Sequence, residues 1–595
     1  MKQRFREYIK QDRESWGLEE EVRTIEDMIK LYRAGKISED EFRRFRLQYG
    51  AYGARLNQDY TMMRIKIPAG ILFPDQLRKV ANLSEAFSIG SVHITTRQNI
   101  QMHWIYLDDV PEVERGLVEV GLTTREACGN TVRNVVASPF AGVCKNEPFD
   151  VTPYAKAVTR FFLRNPMCQN LPRKFKFNFA CCEEHNLARI ADVGLVPVVK
   201  EENGKMVRGF RIYLGGGLGP ASYIGHLLEE FTSEDQLLPT AMAVIRLFDR
   251  HGDRVHMHRN RMRYLVHDLG FDKFKEMVLK ERSIVNATKS VYVKLDIKEY
   301  PKPEKASITN IKPYNPPEGF ERWFASNVME QKQKGYSIVL IPLQMGDITA
   351  TQLRALASIT EEFSAENAII ATPKQGFALR WVLNSDLVKV YKRLLEAGLA
   401  KPGALTITSA VACTGTTSCN LAITNSHRLG KEVQRRLLEA ELDKDKDLEG
   451  ATIHISGCPN SCGQHMIGTI GFYGGASRVN NSLTPTYNML IGGRVGEDAR
   501  LGKTLTRVPA KRVIDAILKL IEVYKEEKND GEKFVEWIDR VLEGNGTNIK
   551  NTNDLKKVID EVSRLPSPEE DPDLYMDYGN DSKFIARTAR GECAA

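Results

Sequence analysis

The chain repeats itself once, and at a long spacing. DQLRKVANLSEAFSIGSVHITTRQNIQMHWI begins at Asp75, and TQLRALASITEEFSAENAIIATPKQGFALRWV begins at Thr351. Gln76-Leu77-Arg78 matches Gln352-Leu353-Arg354, Phe87 matches Phe363, and Trp104 matches Trp381 after one inserted residue. The offset, 276 and then 277, is far beyond the roughly 20–50 residues of stacked-repeat arrays, so a whole domain is duplicated. The likeness continues downstream. Glu126 to Val135 takes the place of Val411 to Ala422, Lys174 to His185 that of Thr452 to His465, and Phe210 to Gly219 that of Tyr487 to Gly496. Strand and helix patterns alternate within each copy. The expected fold is α+β: two mixed-sheet units face each other across a pseudo-twofold, with any ligand site at their interface.

Around this duplication the chain divides into seven parts. A helical arm is expected over 1–57, with Ser38 and Glu41 forming a capping box. Copy one is expected as a half-domain over 58–125 and a ligand-binding domain over 126–299. A proline-rich linker is expected over 300–320. Copy two repeats the pair over 321–405 and 406–560, and an extended tail is expected over 561–595. At 595 residues the chain is long enough for three to four domain-sized units. It contains no run of eighteen apolar residues, so no membrane span is expected. Its charged N-terminus lacks the apolar core of a secretory signal, and a cytoplasmic protein is expected. The 84 basic against 77 acidic residues are no nucleic-acid footprint.

The two copies differ where chemistry requires it. Copy two carries Cys413 and Cys419 in ACTGTTSCN, then Cys458 and Cys462 in SGCPNSCGQH. Four thiolates on two tight loops can hold a [4Fe–4S] cube or a zinc ion, but C-x5-C is wide for a zinc knuckle. Copy one carries cations instead: Arg64, Arg97, Arg133, Arg173, Lys174 and Lys176. Arg97 keeps a cationic counterpart in Lys374, whereas Arg133 is expected near the place of Cys419. TTRQNIQMH, read as extended chain, puts Arg97, Asn99 and Gln101 on one face. Lys174 and Lys176 share a face if PRKFKFNF is a strand.

C-x5-C followed by GCPNSC resembles the signature of the sulfite and nitrite reductases that couple a [4Fe–4S] cluster to sirohaem. The resemblance covers roughly Gln58 to Val513. It implies that Cys413, Cys419, Cys458 and Cys462 ligate the cluster, and that Cys462 bridges it to the sirohaem iron. It further implies that Arg97, Gln101 and Arg173 hold sirohaem carboxylates, with Asn460 adding a donor at the rim. Arg64, Arg133, Lys174 and Lys176 match the anion-binding positions. PRKFK is similar to the sulfite-reducing members, since nitrite-reducing members tend to carry asparagine at the second lysine. The implied function is six-electron reduction of sulfite to sulfide, with nitrite to ammonia as the alternative. YLGGGLG and LIGGRVG suggest backbone passing close to a ligand. No flavin or nicotinamide fingerprint stands out, so a ferredoxin or similar small protein is the expected donor. A non-catalytic iron–sulfur carrier and a tetrapyrrole-modifying enzyme are rival classes, and the cations of copy one speak against the carrier. The other cysteines read as buried thiols: Cys128 is set against Cys413, and Cys182 against Cys462, with Asn178 where Cys458 would be. Cys593 reads as a surface thiol.

Overall fold

The computed structural model describes residues 13–588 except 185, 289–296, 299–302 and 304–315. Most of the expected linker, and Cys593, lie outside these residues. Among the described residues no helix is long and apolar enough to cross a membrane.

Among the described residues four five-stranded sheets form two matched pairs. In the first pair, each copy lends a strand to the other. Asp347–Thr349 of copy two pairs with Ser91–Ile94 of copy one, and Ile71–Leu72 of copy one pairs with Ile369–Ala371 of copy two. The helices Pro74–Phe87 and Ala350–Phe363 pack across the same seam. Arg78 Nη1 donates to Glu361 at 2.7 Å, and its counterpart Arg354 Nη1 donates to Glu85 at 2.9 Å. Such a reciprocal pair is the mark of a twofold interface. Asp347, on the lent strand, meets His93 at 3.2 Å, His427 at 2.8 Å and Lys431 at 3.0 Å. Burial works to raise its pKa, yet hydrogen bonds from His427 and His93 hold the carboxyl far below the usual range.

The copies share backbone strain as well as topology. Trp104 and Trp381 both have φ near +60° (64 and 57) at matching bulges, and so do Gln98 and Gln375 (58 and 59). The two glutamines set the register between the sheets. Gln98 Oε1 accepts from Ala137 N at 3.2 Å, and Gln375 Oε1 accepts from Ala412 N at 3.0 Å. Ala137 is therefore the counterpart of Ala412.

The second pair of sheets has one strand order: two parallel pairings followed by two antiparallel ones. Val136–Ala137, Phe177–Phe179, Val193–Glu202, Lys205–Leu214 and His226–Ser233 make the first. Val411–Ala412, Ile453–Ser456, Ile470–Val479, Ser482–Ile491 and Lys503–Pro509 make the second. Val136 faces Asn178 as Val411 faces His454. Gly194 and Gly471 mark the third strands, and a Cβ on either would lie 2.1 Å from a carbonyl oxygen, of Ala188 and of His465 respectively.

This register corrects the alignment read from the sequence. Ser138, not Cys128, stands at the place of Cys413. Cys144, not Asn134, stands at that of Cys419, and Cys182 at that of Cys458. Asn178 takes the place of His454, and Ala188 that of His465. Arg133, three residues before Val136, has its counterpart in Thr408.

Three local expectations also change. The arm is helical over Glu19–Arg33 and Glu39–Gln48, with the Ser38–Glu41 capping box present, but Ala51–Ala54 is already an edge strand of the first sheet. Thr95 to Asn99 is a turn through positive-φ Gln98, so Arg97, Asn99 and Gln101 do not share one extended face. The last segment is pinned down: Leu574 and Tyr575 are buried, and Asp577 accepts from Asn425 N at 2.7 Å.

Candidate functional site

Parallel pairing delivers the two loops of copy two to the same end of the sheet. Cys413 follows directly on Val411–Ala412, and Cys458 lies two residues past Ile453–Ser456. Gly463 lets the second loop turn back, since a Cβ there would lie 1.9 Å from Ile455 O. Cys458 is buried, Cys413 and Cys419 are half-buried, and Cys462 is exposed. Cys413 Sγ accepts from Gly457 N at 3.2 Å and lies 3.2 Å from Ser426 Oγ. Burial and then the neighbouring Cys462 and Cys413 push the Cys419 thiol up to about 12, and the same causes raise Cys458. Thiols that repel one another's charge in this way are suited to a shared cationic centre. Among the described residues, the groups of three or more metal-ligating side chains with donor atoms all within 4.8 Å are Cys144–Cys181–Cys182 and His93–Asp347–His427. The thiols of Cys413, Cys419, Cys458 and Cys462 are thus spread more widely than one ion needs, which suits a cube over a zinc ion.

Copy one brings its cations to this loop. Thr96 Oγ1 donates to Cys462 O at 3.2 Å, so the turn carrying Arg97 lies against the cysteine loop. Nearby, Arg55 donates to Cys419 O, and Leu56 N donates to Asn420 Oδ1 at 3.1 Å.

The expected residues fall into two touching groups. In the first, Arg64 and Gln101 are direct partners on adjacent strands. Arg64 lies over the Tyr52 ring at 4.9 Å. Its Nη1 is 3.5 Å from Ala127 O, which also accepts from Arg133 Nη1 at 3.0 Å. In the second, Arg97 donates to Asn178 Oδ1 at 2.9 Å and Asn134 O at 2.7 Å. Lys174 and Lys176 alternate with buried Phe175 and Phe177, so the two lysines share a face although the regular strand is only Phe177–Phe179. Arg173 is half-buried beside them, and Asn460 is exposed on the loop between Cys458 and Cys462.

The electrostatics join the two groups. Burial, then Arg261, Arg97 and Lys174, push the Lys176 ammonium well below its ordinary value, while Asp192 opposes them. Burial lowers Arg97 to about 9, with Asp192 opposing and Arg133, Arg261 and Arg64 adding to the fall. Lys374, the counterpart of Arg97, has an exposed side chain yet is lowered by desolvation. So many cations close together favour an anion.

Their donors also favour one. Buried Nε atoms of Arg97, Arg189, Arg261 and Arg263 have no hydrogen-bond partner among the described residues. Buried donors are seldom left unmatched, and carboxylates match guanidinium groups best. The set therefore fits a polycarboxylate such as sirohaem.

Sequence reading missed Asp192, Arg189, Arg261 and Arg263. Asp192 is fully buried, accepts from Arg261 at 3.1 and 3.0 Å, and takes Lys176 N at 3.0 Å. The signal for the arginines was HRNRMRY, where Arg259, Arg261 and Arg263 alternate. Of the glycine-rich turns, Gly215 and Gly492 take the left-handed conformation with φ of 81° and 77°. A Cβ on Gly217 would lie 3.1 Å from Arg263 and 3.3 Å from Arg261, so that turn passes the cations closely.

Comparison with known proteins gives the chain its relatives. The family model described as the nitrite and sulphite reductase 4Fe-4S domain matches residues 128–285 and 403–542. The nitrite/sulfite reductase ferredoxin-like half domain matches 54–120 and 329–397. An assimilatory ferredoxin-dependent nitrite reductase of Haloferax mediterranei is 28% identical over 84% of this chain and 86% of its own. A sulfite reductase [ferredoxin] of Mycolicibacterium paratuberculosis is 28% identical over 81% of this chain and 82% of its own. The structure of the Mycobacterium tuberculosis NirA protein superposes with a TM-score of 0.71 at 26% identity, covering 87% of this chain and 92% of that one.

Proposed function

This chain belongs to the nitrite and sulphite reductase family, and on that premise we propose that it reduces sulfite to sulfide with electrons from a reduced ferredoxin. It is an oxidoreductase whose cofactors are a [4Fe–4S] cluster and sirohaem. Bound together, these supply single electrons and an iron to which a small oxyanion binds. In this reading Cys413, Cys419, Cys458 and Cys462 would hold the cluster, with Cys462 the ligand it would share with the sirohaem. Arg97, Gln101 and Arg173 receive sirohaem carboxylates, and Asn460 adds a donor at the rim.

Arg64, Arg133, Lys174 and Lys176 hold the anion. Reducing sulfite to hydrosulfide consumes six electrons and seven protons and releases three waters, so donors must sit where oxygen leaves. Lys176 suits that task. Burial, then Arg261, Arg97 and Lys174, hold its ammonium well below its ordinary value, and an arriving anion offsets part of their repulsion.

Relatives of equal identity are named for nitrite and for sulfite, so substrate preference rests on this chain's own residues. The observation that carries sulfite is the second lysine, Lys176, on the same face as Lys174. Sulfite carries more negative charge than nitrite near neutral pH and gains more from a second cation. Lys176→Asn is expected to shift the ratio of kcat/KM values from sulfite toward nitrite, with Lys174, Arg64 and Arg133 still supplying charge. An unchanged ratio with both activities intact would remove Lys176 as the selecting residue.

A further inference from the structure

The corrected register puts three thiols and a hydroxyl of copy one where copy two holds its cluster. Ser138 stands at the place of Cys413, Cys144 at that of Cys419, and Cys182 at that of Cys458, with Cys181 beside it. The two loops again leave adjacent ends of parallel strands, Val136–Ala137 and Phe177–Phe179. Cys144 Sγ lies 3.6 Å from Cys182 Sγ, and Cys181 Sγ lies 3.8 Å from Cys182 Sγ. All three sulfurs fall within 4.8 Å of one another. Cys144, Cys181 and Cys182 are 6%, 0% and 5% exposed, and Ser138 is 8% exposed. Ser138 lies beside Cys181, and its hydroxyl accepts from Phe140 N at 3.3 Å.

The spacing decides what the group can hold. Ligands at about 2.3 Å from a tetrahedral ion are separated by roughly 3.8 Å, as a Zn–S bond length requires. The two closest sulfur pairs match that edge. An iron–sulfur cube holds its thiolates further apart, as the looser set of copy two does. The donors are soft sulfurs, which select zinc or monovalent copper over hard cations.

We propose that Ser138, Cys144, Cys181 and Cys182 form a mononuclear site for one thiophilic d10 cation, zinc or monovalent copper. The three sulfurs are the main ligands, and the Ser138 hydroxyl occupies the fourth direction. The ion would staple the loop after Val136–Ala137 to the end of Phe177–Phe179. It would thereby brace the end of the strand that follows Lys174 and Lys176.

The test is metal analysis of holoenzyme grown with zinc and copper supplied, and of the same protein after anaerobic incubation with either ion. About one zinc or copper per chain is expected in addition to iron, with X-ray absorption at that metal's edge dominated by sulfur at about 2.3 Å. In Cys182→Ser the extra metal is expected to fall at least tenfold while iron per chain stays unchanged. Ser138→Cys completes a four-sulfur set and is expected to hold the ion against a chelator concentration that strips the parent. Absence of zinc and copper from the parent under all conditions would overturn the site. So would a Cys144–Cys182 disulfide in anaerobically purified protein, or a Ser138→Cys variant with no gain in retention.

Discussion

Replacing Cys462 by serine is expected to abolish sulfite reduction while leaving the chain folded. Cys462 is the exposed member of its set, at the rim where the first copy's Thr96 touches the loop. The other three cysteines are held by strand ends and backbone amides, and none of these supports depends on the Cys462 sulfur. Loss of turnover on the order of a hundredfold or more is expected, since even outer-shell partners of metal sites are felt at ten- to a hundredfold. Absorption spectra and iron analysis check the cause. The sirohaem bands should shift or vanish, and circular dichroism should stay that of the parent. Full turnover with parental spectra would show that this sulfur is no bridge. Cys128→Ser is the control: that thiol is buried, donates to Gly50 O and belongs to neither thiol group, so its loss should leave iron content and the cofactor spectrum parental.

The second large effect is expected at Lys176. Lys176→Ala should lower kcat for sulfite by a factor corresponding to about 3–4 kcal/mol, the usual loss for one preorganised donor aimed at developing charge. A merely structural role would change stability or sirohaem content instead, and both are expected to stay near parental. The pH profile gives the sharper readout. The Lys176 ammonium is held well below its ordinary value by burial and by Arg261, Arg97 and Lys174. Its protonated form, the proton donor, is therefore lost as pH rises through that depressed value. Parent turnover should fall on the alkaline side, and Lys176→Ala should lose that limb. A parental rate, or an unaltered alkaline limb, would remove Lys176 from proton delivery.

Much of this was legible because the duplication supplies an internal ruler. The Gln-Leu-Arg motif opens a helix in both copies, with Gln76 and Gln352 capping their own first turns. The two tryptophans fall on matching bulges. Reading failed where local identity competed with strand register. Setting Cys128 on Cys413 matched one cysteine, but the ladder runs through the Val-Ala pair, and the copy-one loop before Gly194 is one residue shorter. Arg97 and Gln101 were placed on one face because alternation was carried through Gln98. That residue is left-handed without being glycine or asparagine, so its composition gave no warning. Asp192 and the arginines at 261 and 263 have no partner in the repeat that would have drawn notice. They come together only through the fold, which sets Arg261 against Asp192 and Asp192 against the Lys176 backbone.

The central claim is that cations of copy one serve an oxyanion held beside the cysteine loop of copy two. It is tested most directly by steady-state turnover of the purified holoenzyme with one reduced ferredoxin, on sulfite and on nitrite in parallel, with products and oxidised ferredoxin counted. The expected result is sulfide formed with six electrons drawn per sulfite, and a higher kcat/KM for sulfite than for nitrite. Ferredoxin oxidised with neither sulfide nor ammonia formed would contradict the account. A kcat/KM for nitrite exceeding that for sulfite would contradict the substrate assignment made from Lys176.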